Sequence, residues 1–448
     1  MKFNKREWAY IFYDWAESAF TVIIAVFIFP ILYKILAEQG GVQEGVATNI
    51  YSFLVAAISL IIAILSPILG TIADYKGLKK KFFIFFFIMG IIFSVMLSFY
   101  PVYTNSFWWL VLIPFVLSTI GYAGTNIFYD AFIVDATTDE RMDRVSTTAY
   151  AFGYLGGSTL PLVVAIILLN ILPNESNTLN LLGWVVPYTV TTGFQLTFLF
   201  TSLWWLVFSI PFLRHVDQVH GIEKEDRPIY RSLMRLKETF LDAKKYRKIF
   251  IFLIAYFLFI DGVHTIINLA TVFAIDSIAS VNTDNATEVL LPLFLVIQVV
   301  AFIFAVFFAW LSRKFKTESL ILTTIMIYIF ISIFAFFVTE VWQFWILGLA
   351  VATAQGAIQA LSRSYFGKIV PKNKANEFFG LFTIFSRFAS FVGPLIVGMV
   401  GSLVLIINPD VTGGVMRYGV LSLIILFIIG AILFVKAARI PNDHLAKE

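Results

Sequence analysis

The chain has 448 residues, 60% hydrophobic and only 13% charged, with 49 phenylalanines and a formal net charge of +4. A water-soluble globule is usually about 45 to 50% apolar, so this composition belongs in a bilayer. The absence of cysteine excludes disulfides, thiolate catalysis and cysteine metal sites, and four histidines without ligand spacing suggest neither a metal centre nor a cofactor. So small a positive charge is no nucleic-acid footprint; its meaning lies in where it falls.

With roughly 20 apolar residues needed per crossing, spans are predicted at about 9–36, 48–72, 82–100, 107–132, 145–171 and 190–213, then at about 249–275, 289–312, 318–338, 342–364, 378–407 and 414–436. The first run is about 28 residues long and carries Trp8 and Asp14 near its start, unlike a cleavable leader. The expected architecture is an all-α membrane protein of twelve transmembrane helices in two pseudo-symmetric six-helix bundles. The bundles are residues 1–213 and 249–448. The stretch 214–248 between them interleaves charges with apolar residues and reads as an amphipathic helix on the anionic inner-leaflet lipid. Of the 32 lysines and arginines, all but Lys34, Arg387 and Arg417 fall at the termini or after even-numbered spans, which places both termini in the cytoplasm. The outer stretches 172–187 and 276–288 are polar and acidic, with nothing resembling an extracellular domain.

Polar side chains inside spans are costly, at least about 2.5 to 3.5 kcal/mol for a central charge on insertion scales, so those that remain need a reason. Asp14, Glu17 and Thr21 fall at i, i+3 and i+7 on one face of the first span; Asp261, His264 and Asn268 repeat that spacing in the seventh. Tyr122, Asn126 and Asp130 form a stripe at i, i+4 and i+8 in span four, and Gln355, Gln359 and Arg363 do so in span ten. Four stripes on helices one, four, seven and ten point to one substrate cavity, since a lipid-facing helix could not carry them. Asp261 lies roughly 20 Å from the end of its span, near the midplane. It is the first candidate for proton coupling, with Glu17 and His264 as its partners; the alternative is a structural cap at a bend marked by Gly262.

Arg387 is a buried charge in span eleven, placed to pair with an acid or to contact an anionic solute. Gly153, Gly156 and Gly157 in span five, and Gly393, Pro394 and Gly398 in span eleven, suit close packing and bending where helices cross between halves. Between spans two and three runs a basic turn with Gly70, Asp74, Gly77, Lys79, Lys80 and Lys81. A second hairpin, from Trp310 to Lys316, keeps the charge but lacks the glycines and the acid.

In the spacing Gly-x3-Asp-x2-Gly-x-Lys-Lys, the first turn resembles the signature of the major facilitator superfamily, where the acid and the basic residues latch the halves of a transporter. The segment Tyr13-Asp14-Trp15-Ala16-Glu17-Ser18-Ala19-Phe20 is similar to the Tyr-Asp-Trp-Ala-Asn-Ser-Ala-Phe signature of its UMF1 and Atg22-like branch. Further similarities are Phe128-Tyr129-Asp130-Ala131-Phe132, Arg144-Val145-Ser146, Gly153-Tyr154-Leu155-Gly156-Gly157, Ala255-Tyr256-Phe257-Leu258 with Asp261-Gly262-Val263, and Gln359-Ala360-Leu361-Ser362-Arg363-Ser364 with Glu377-Phe378-Phe379-Gly380.

The resemblance implies the major facilitator fold and a permease rather than an enzyme, with amino-acid efflux from the vacuole attached to the yeast members. Glu17 stands where the branch usually has Asn, Asp130 where Asn is common, and the superfamily's usual arginine in span four is missing. The more acidic cavity favours a cationic or zwitterionic solute, or an added proton site. The expected protein is a monomeric, proton-coupled carrier working by alternating access. It is placed in a bacterial cytoplasmic membrane, or in a vacuolar or lysosomal one if the source is eukaryotic. A lipid or glycolipid flippase of the same fold, or a membrane receptor that binds without transport, are the alternatives.

Overall fold

In the computed structural model the residues described are 3–73, 76–99, 105–138, 145, 148–149, 152–172, 178–181, 184–219, 234, 246–311, 314–370, 378, 381–382, 385–386, 388–409 and 413–441. Among them, eleven helices are long and apolar enough to cross a membrane, and a shorter apolar one follows the break in span eleven. We number them α1 (Lys5–Gln39), α2 (Glu44–Ala73), α3 (Lys79–Met96), α4 (Leu112–Ala131), α5 (Gly153–Ile171), α6 (Val190–His215), α7 (Arg247–Ser277), α8 (Ala286–Leu311), α9 (Thr317–Phe337), α10 (Val341–Ile369), α11 (Val392–Ile407) and α12 (Val415–Arg439). The central stretch 220–245, apart from residue 234, lies outside the described residues.

Local chemistry sets the ends and irregularities of these helices. Asn4 caps α1 by accepting the Glu7 N–H at 2.9 Å, while the Glu7 carboxylate accepts the Asn4 N–H at 2.8 Å. Regular α bonding then gives way to wider i→i+5 bonding over Phe20–Ile28. Pro30 lies in the first turn of the α segment that resumes at Phe29, where its missing N–H is tolerated. Span eleven is interrupted at 389–391 for a related reason. Pro394 cannot continue a hydrogen-bond ladder, so α11 starts afresh with Val392, Gly393 and Pro394 as its first turn. The polar outer stretch after α5 holds one ordered feature that the sequence reading did not anticipate. It is an antiparallel ribbon of β1 (Thr178–Leu181) and β2 (Trp184–Pro187), with Thr178 opposite Pro187 and Leu181 opposite Trp184.

By contacts the chain forms two compact units: 1–47, 72–224 and 279–299, and 48–71, 225–278 and 300–448. Each takes in a segment from the other half of the sequence. In the first unit, Asn170 of α5 donates to the Thr287 carbonyl of α8 at 3.2 Å, and Phe27 of α1 meets Phe294 of α8 with ring centroids 4.9 Å apart. In the second, Phe53 of α2 lies where a Cβ on Gly398 of α11 would come within 3.0 Å, and Asn49 occupies the equivalent place opposite Gly401. The glycines of span eleven therefore do pack where sequence halves meet. Gly156 in span five does the same work inside the first unit, since a Cβ there would stand 1.7 Å from the Trp15 ring. Elsewhere apolar faces are left outward: Phe85, Ile88 and Ile92 of α3, at i, i+3 and i+7, are 59, 50 and 52% exposed. Such a stripe suits lipid rather than water.

Candidate functional site

Within the first unit, the stripes on α1 and α4 interlock rung by rung. At the outermost rung the Thr21 hydroxyl donates to the Tyr122 hydroxyl at 2.6 Å. One turn along, Asn126 Nδ2 donates to Glu17 Oε2 at 2.9 Å. The third rung pairs Asp14 with Tyr129, whose hydroxyl lies 3.4 Å from Asp14 Oδ2 and 3.2 Å from the Tyr10 carbonyl. Asp14, Glu17 and Asn126 are all buried. Among the described residues Asp14 meets neutral donors, Ser18 Oγ at 3.5 Å being the second. Behind the ladder, Gly153 of α5 closes the site so tightly that a Cβ would stand 2.7 Å from Ser18 Oγ and 2.9 Å from Asp14 Oδ1.

Asp130, read from sequence as the third member of the α4 stripe, is exposed; its neighbour Tyr129 takes the place opposite Asp14. Adjacent helical residues point about 100° apart, and a tyrosine can span the distance to α1 while covering its ring with Tyr10 and Tyr13. The ring centroids of Tyr129 lie 4.3 and 4.6 Å from those two. Tyr10 at i−4 from Asp14 was the available signal.

In the second unit, α7 is unbroken through Asp261, and the cap it provides serves another helix. Asp261, fully buried, accepts the Gly393 N–H through Oδ2 at 2.8 Å, one of the amides freed where α11 begins. The Val392 amide also acts on this carboxylate, and among the described residues Oδ1 is buried without a hydrogen bond of its own. Thr265 turns its hydroxyl back to the Asp261 carbonyl at 2.7 Å, and Gly393 is needed because a Cβ would meet that hydroxyl oxygen at 2.0 Å. His264 faces the same break, with Nδ1 2.7 Å from the Ala389 carbonyl and 2.9 Å from Ser390 Oγ. Asn268, Gln355 and Gln359 are buried or half-buried and make no hydrogen bond among the described residues, and Arg363 is exposed. So the α7 stripe is joined to α11 rather than to the α10 stripe.

Asp276, placed by the sequence in an outer loop, repeats the capping device fifteen residues on. It is a buried residue near the end of α7; its Oδ2 accepts the Met416 N–H at 2.8 Å, its carbonyl accepts the Gly414 N–H at 2.7 Å, and Thr48 Oγ1 lies 3.3 Å from Oδ1. Arg417 donates to the Ser277 carbonyl beside it.

The basic turn is fastened within the first unit. Gly77 adopts a φ of 75°, a left-handed turn that suits glycine, and its N–H donates to Gln218 Oε1 at 2.9 Å. Lys79 is buried and pairs with Asp135 Oδ2 at 2.8 Å; the other oxygen of Asp135 accepts the Val219 N–H at 2.9 Å. Lys80 pairs with Asp217. Asp135, which the sequence reading passed over, sits in the helical turn Ile133–Ala136 just beyond α4. Gly70 lies in the last part of α2; Asp74 and Arg387 lie outside the described residues.

Solved transporters share this arrangement of helices. The chain aligns with a nucleoside transporter, NupG, at a TM-score of 0.66 over 96% of this chain and 99% of that one, with 11% identity. A D-xylose-proton symporter gives 0.65 over 98% of both chains with 15% identity. A bacterial homologue of the human lysosomal transporter Spinster gives 0.61 over 97 and 96%, also with 15% identity. The molecule is an integral multi-pass membrane transporter of the major facilitator fold, not an enzyme. Its sequence matches the family described as "Vacuole effluxer Atg22 like" over residues 3–135 and 134–439, and the chain belongs to that family. It is 40% identical over 442 residues, 99% of this chain and 96% of the other, to a Bacillus subtilis (strain 168) protein called "Uncharacterized MFS-type transporter YxiO". Autophagy-related protein 22-1 of Penicillium rubens is 25% identical over 57% of this chain, which spans 44% of that longer protein. The bacterial relative is consistent with a cytoplasmic membrane.

Proposed function

We propose that the protein is a proton-coupled secondary transporter that exports a small cationic or zwitterionic solute, an amino acid or close relative, by alternating access. The carrying observation is the buried pair Asp14 and Glu17 on one face of α1. The pair is held by Tyr129 and Asn126, and Asp14 meets only neutral donors among the described residues. A buried carboxylate that meets only neutral donors, as Asp14 does among the described residues, keeps its affinity for a positive group or a proton. Asp261 carries the transported proton through Oδ1, which has no hydrogen bond of its own among the described residues, with His264 one turn away. The two sequence halves, 1–213 and 249–448, act as the alternating bundles of a monomer with both termini in the cytoplasm. The segment 214–248 rests on anionic inner-leaflet lipid, and the basic turn from Gly70 to Lys81 stabilises the state closed to the cytoplasm.

The experiment is a thermal-shift screen of purified protein against amino acids, dipeptides, sugars and lipids, followed by uptake of the hit into proteoliposomes under an imposed pH gradient. Stabilisation by a cationic or zwitterionic solute, lost in Glu17→Gln, supports the reading. Stabilisation by a neutral sugar that Glu17→Gln leaves unchanged refutes the solute class. Gradient-driven transport that is unchanged in Asp261→Asn refutes the proton route.

A further inference from the structure

The second basic hairpin, which lacks the glycines and acid of the first, opens into a hollow of about 290 Å³ where α7, α9 and α10 end together. Three lysines line it. Lys248 stands in the first turn of α7, Lys316 precedes α9, and Lys368 lies in the last turn of α10, donating to Thr317 Oγ1 at 2.8 Å. The first amides of α9, whose 21 residues have no side-chain cap, face the same end and add the partial positive charge of a helix N-terminus. One acid, Glu318, lies among them, close enough to act electrostatically on Lys248 and Tyr365. Three cations against one anion leave an excess of positive charge.

Tyr365 is the independent sign of a ligand. It lies one turn before Lys368 on α10 and lines the hollow; it is only 2% exposed, and among the described residues its buried hydroxyl has no hydrogen-bond partner. An orphaned buried hydroxyl is costly and is retained where something else completes it. We infer that this hollow is a binding site for a phosphate-bearing anion, held by Lys248, Lys316 and Lys368 and the N-terminus of α9, with the Tyr365 hydroxyl as the neutral donor. The phosphate comes from a soluble compound or from a lipid headgroup. A second groove, on α7, α9 and α12, is lined by Leu322, Met326 and Ile432 with Arg247, Lys436 and Arg439, apolar and basic side chains that suit a lipid.

The test uses the intact chain in detergent, titrated with inorganic phosphate while thermal unfolding is followed. A parallel measurement uses vesicles of phosphatidylcholine with and without phosphatidylglycerol. A saturable rise in Tm in either arm is expected. It should need at least about tenfold more anion in K316Q/K368Q, whose side chains are exposed and whose removal leaves the core intact. Tyr365→Phe separates ligation from fold: it should raise Tm without anion, by removing the unsatisfied hydroxyl, while weakening the response to anion. A response to vesicles alone assigns the site to a headgroup, and a response to phosphate alone to a soluble compound. The inference is overturned if neither arm responds saturably, if K316Q/K368Q responds as the native chain does, or if Tyr365→Phe leaves the anion response unchanged.

Discussion

Glu17 shows how a single departure from a family pattern changes what a helix face can hold. An amide at that position would complete a neutral pair with Asn126; the carboxylate instead places a second acid one turn from Asp14. Glu17→Gln retains an acceptor for Asn126, so its effect on stability should stay within about 1 kcal/mol, while the Tm response to a cationic solute should fall severalfold. Lys79 behaves differently because its partner is buried with it. Lys79→Ala removes the buried ammonium paired with Asp135 and should destabilise by about 3 to 5 kcal/mol, and Lys79→Ala with Asp135→Asn should recover part of that loss in thermal unfolding. The first rungs of the ladder were readable because i, i+3 and i+4 spacing fixes a face. Tyr129 and Asp135 were not, because periodicity cannot say whether a long aromatic or the acid next to it turns inward, or which lysine of a basic turn folds back onto a buried acid.

Among elements, α7 carries two buried carboxylates that each accept an amide from the start of another helix, Asp261 for α11 and Asp276 for α12. Asparagine keeps a cap acceptor and alanine does not. Asp276→Asn should therefore cost less than Asp276→Ala, which loses about 0.5 to 2 kcal/mol of capping in addition to leaving the amide bare. At Asp261 the same pair of variants separates fold from coupling: Asp261→Asn should unfold at nearly the native temperature yet lose pH-driven uptake in proteoliposomes. The break in span eleven was visible as Gly393-Pro394, but its partner was not. The sequence drew the stripes of α1, α4, α7 and α10 into one cavity. Gln355 and Gln359 instead remain without hydrogen bonds among the described residues, because the amides that the helix ladder leaves free at the start of α11 are the stronger claim on a buried carboxylate.

At the level of the whole molecule, hydropathy counted the crossings well, since length and apolarity are what a bilayer selects. It could not reveal which crossings pack together, because lipid-facing and helix-facing surfaces are equally apolar. The compact units regroup the chain, with α2 in the second and residues 279–299 in the first. A fragment ending at residue 213 lacks the α8 segment that Asn170 and Phe27 contact, so it should express poorly alone and recover when 214–448 is supplied in the same cell, as read by fluorescence-detected size exclusion.

That regrouping also orders assembly in time. During synthesis α2 is threaded into the bilayer while every other part of its unit is still unmade, and it must wait through about 170 further residues before α7 begins. The first unit waits in turn for residues 279–299. For that interval the insertion machinery holds helices whose partners are still unmade, and a ribosome stalled before residue 299 would strand both units unfinished rather than leave one complete.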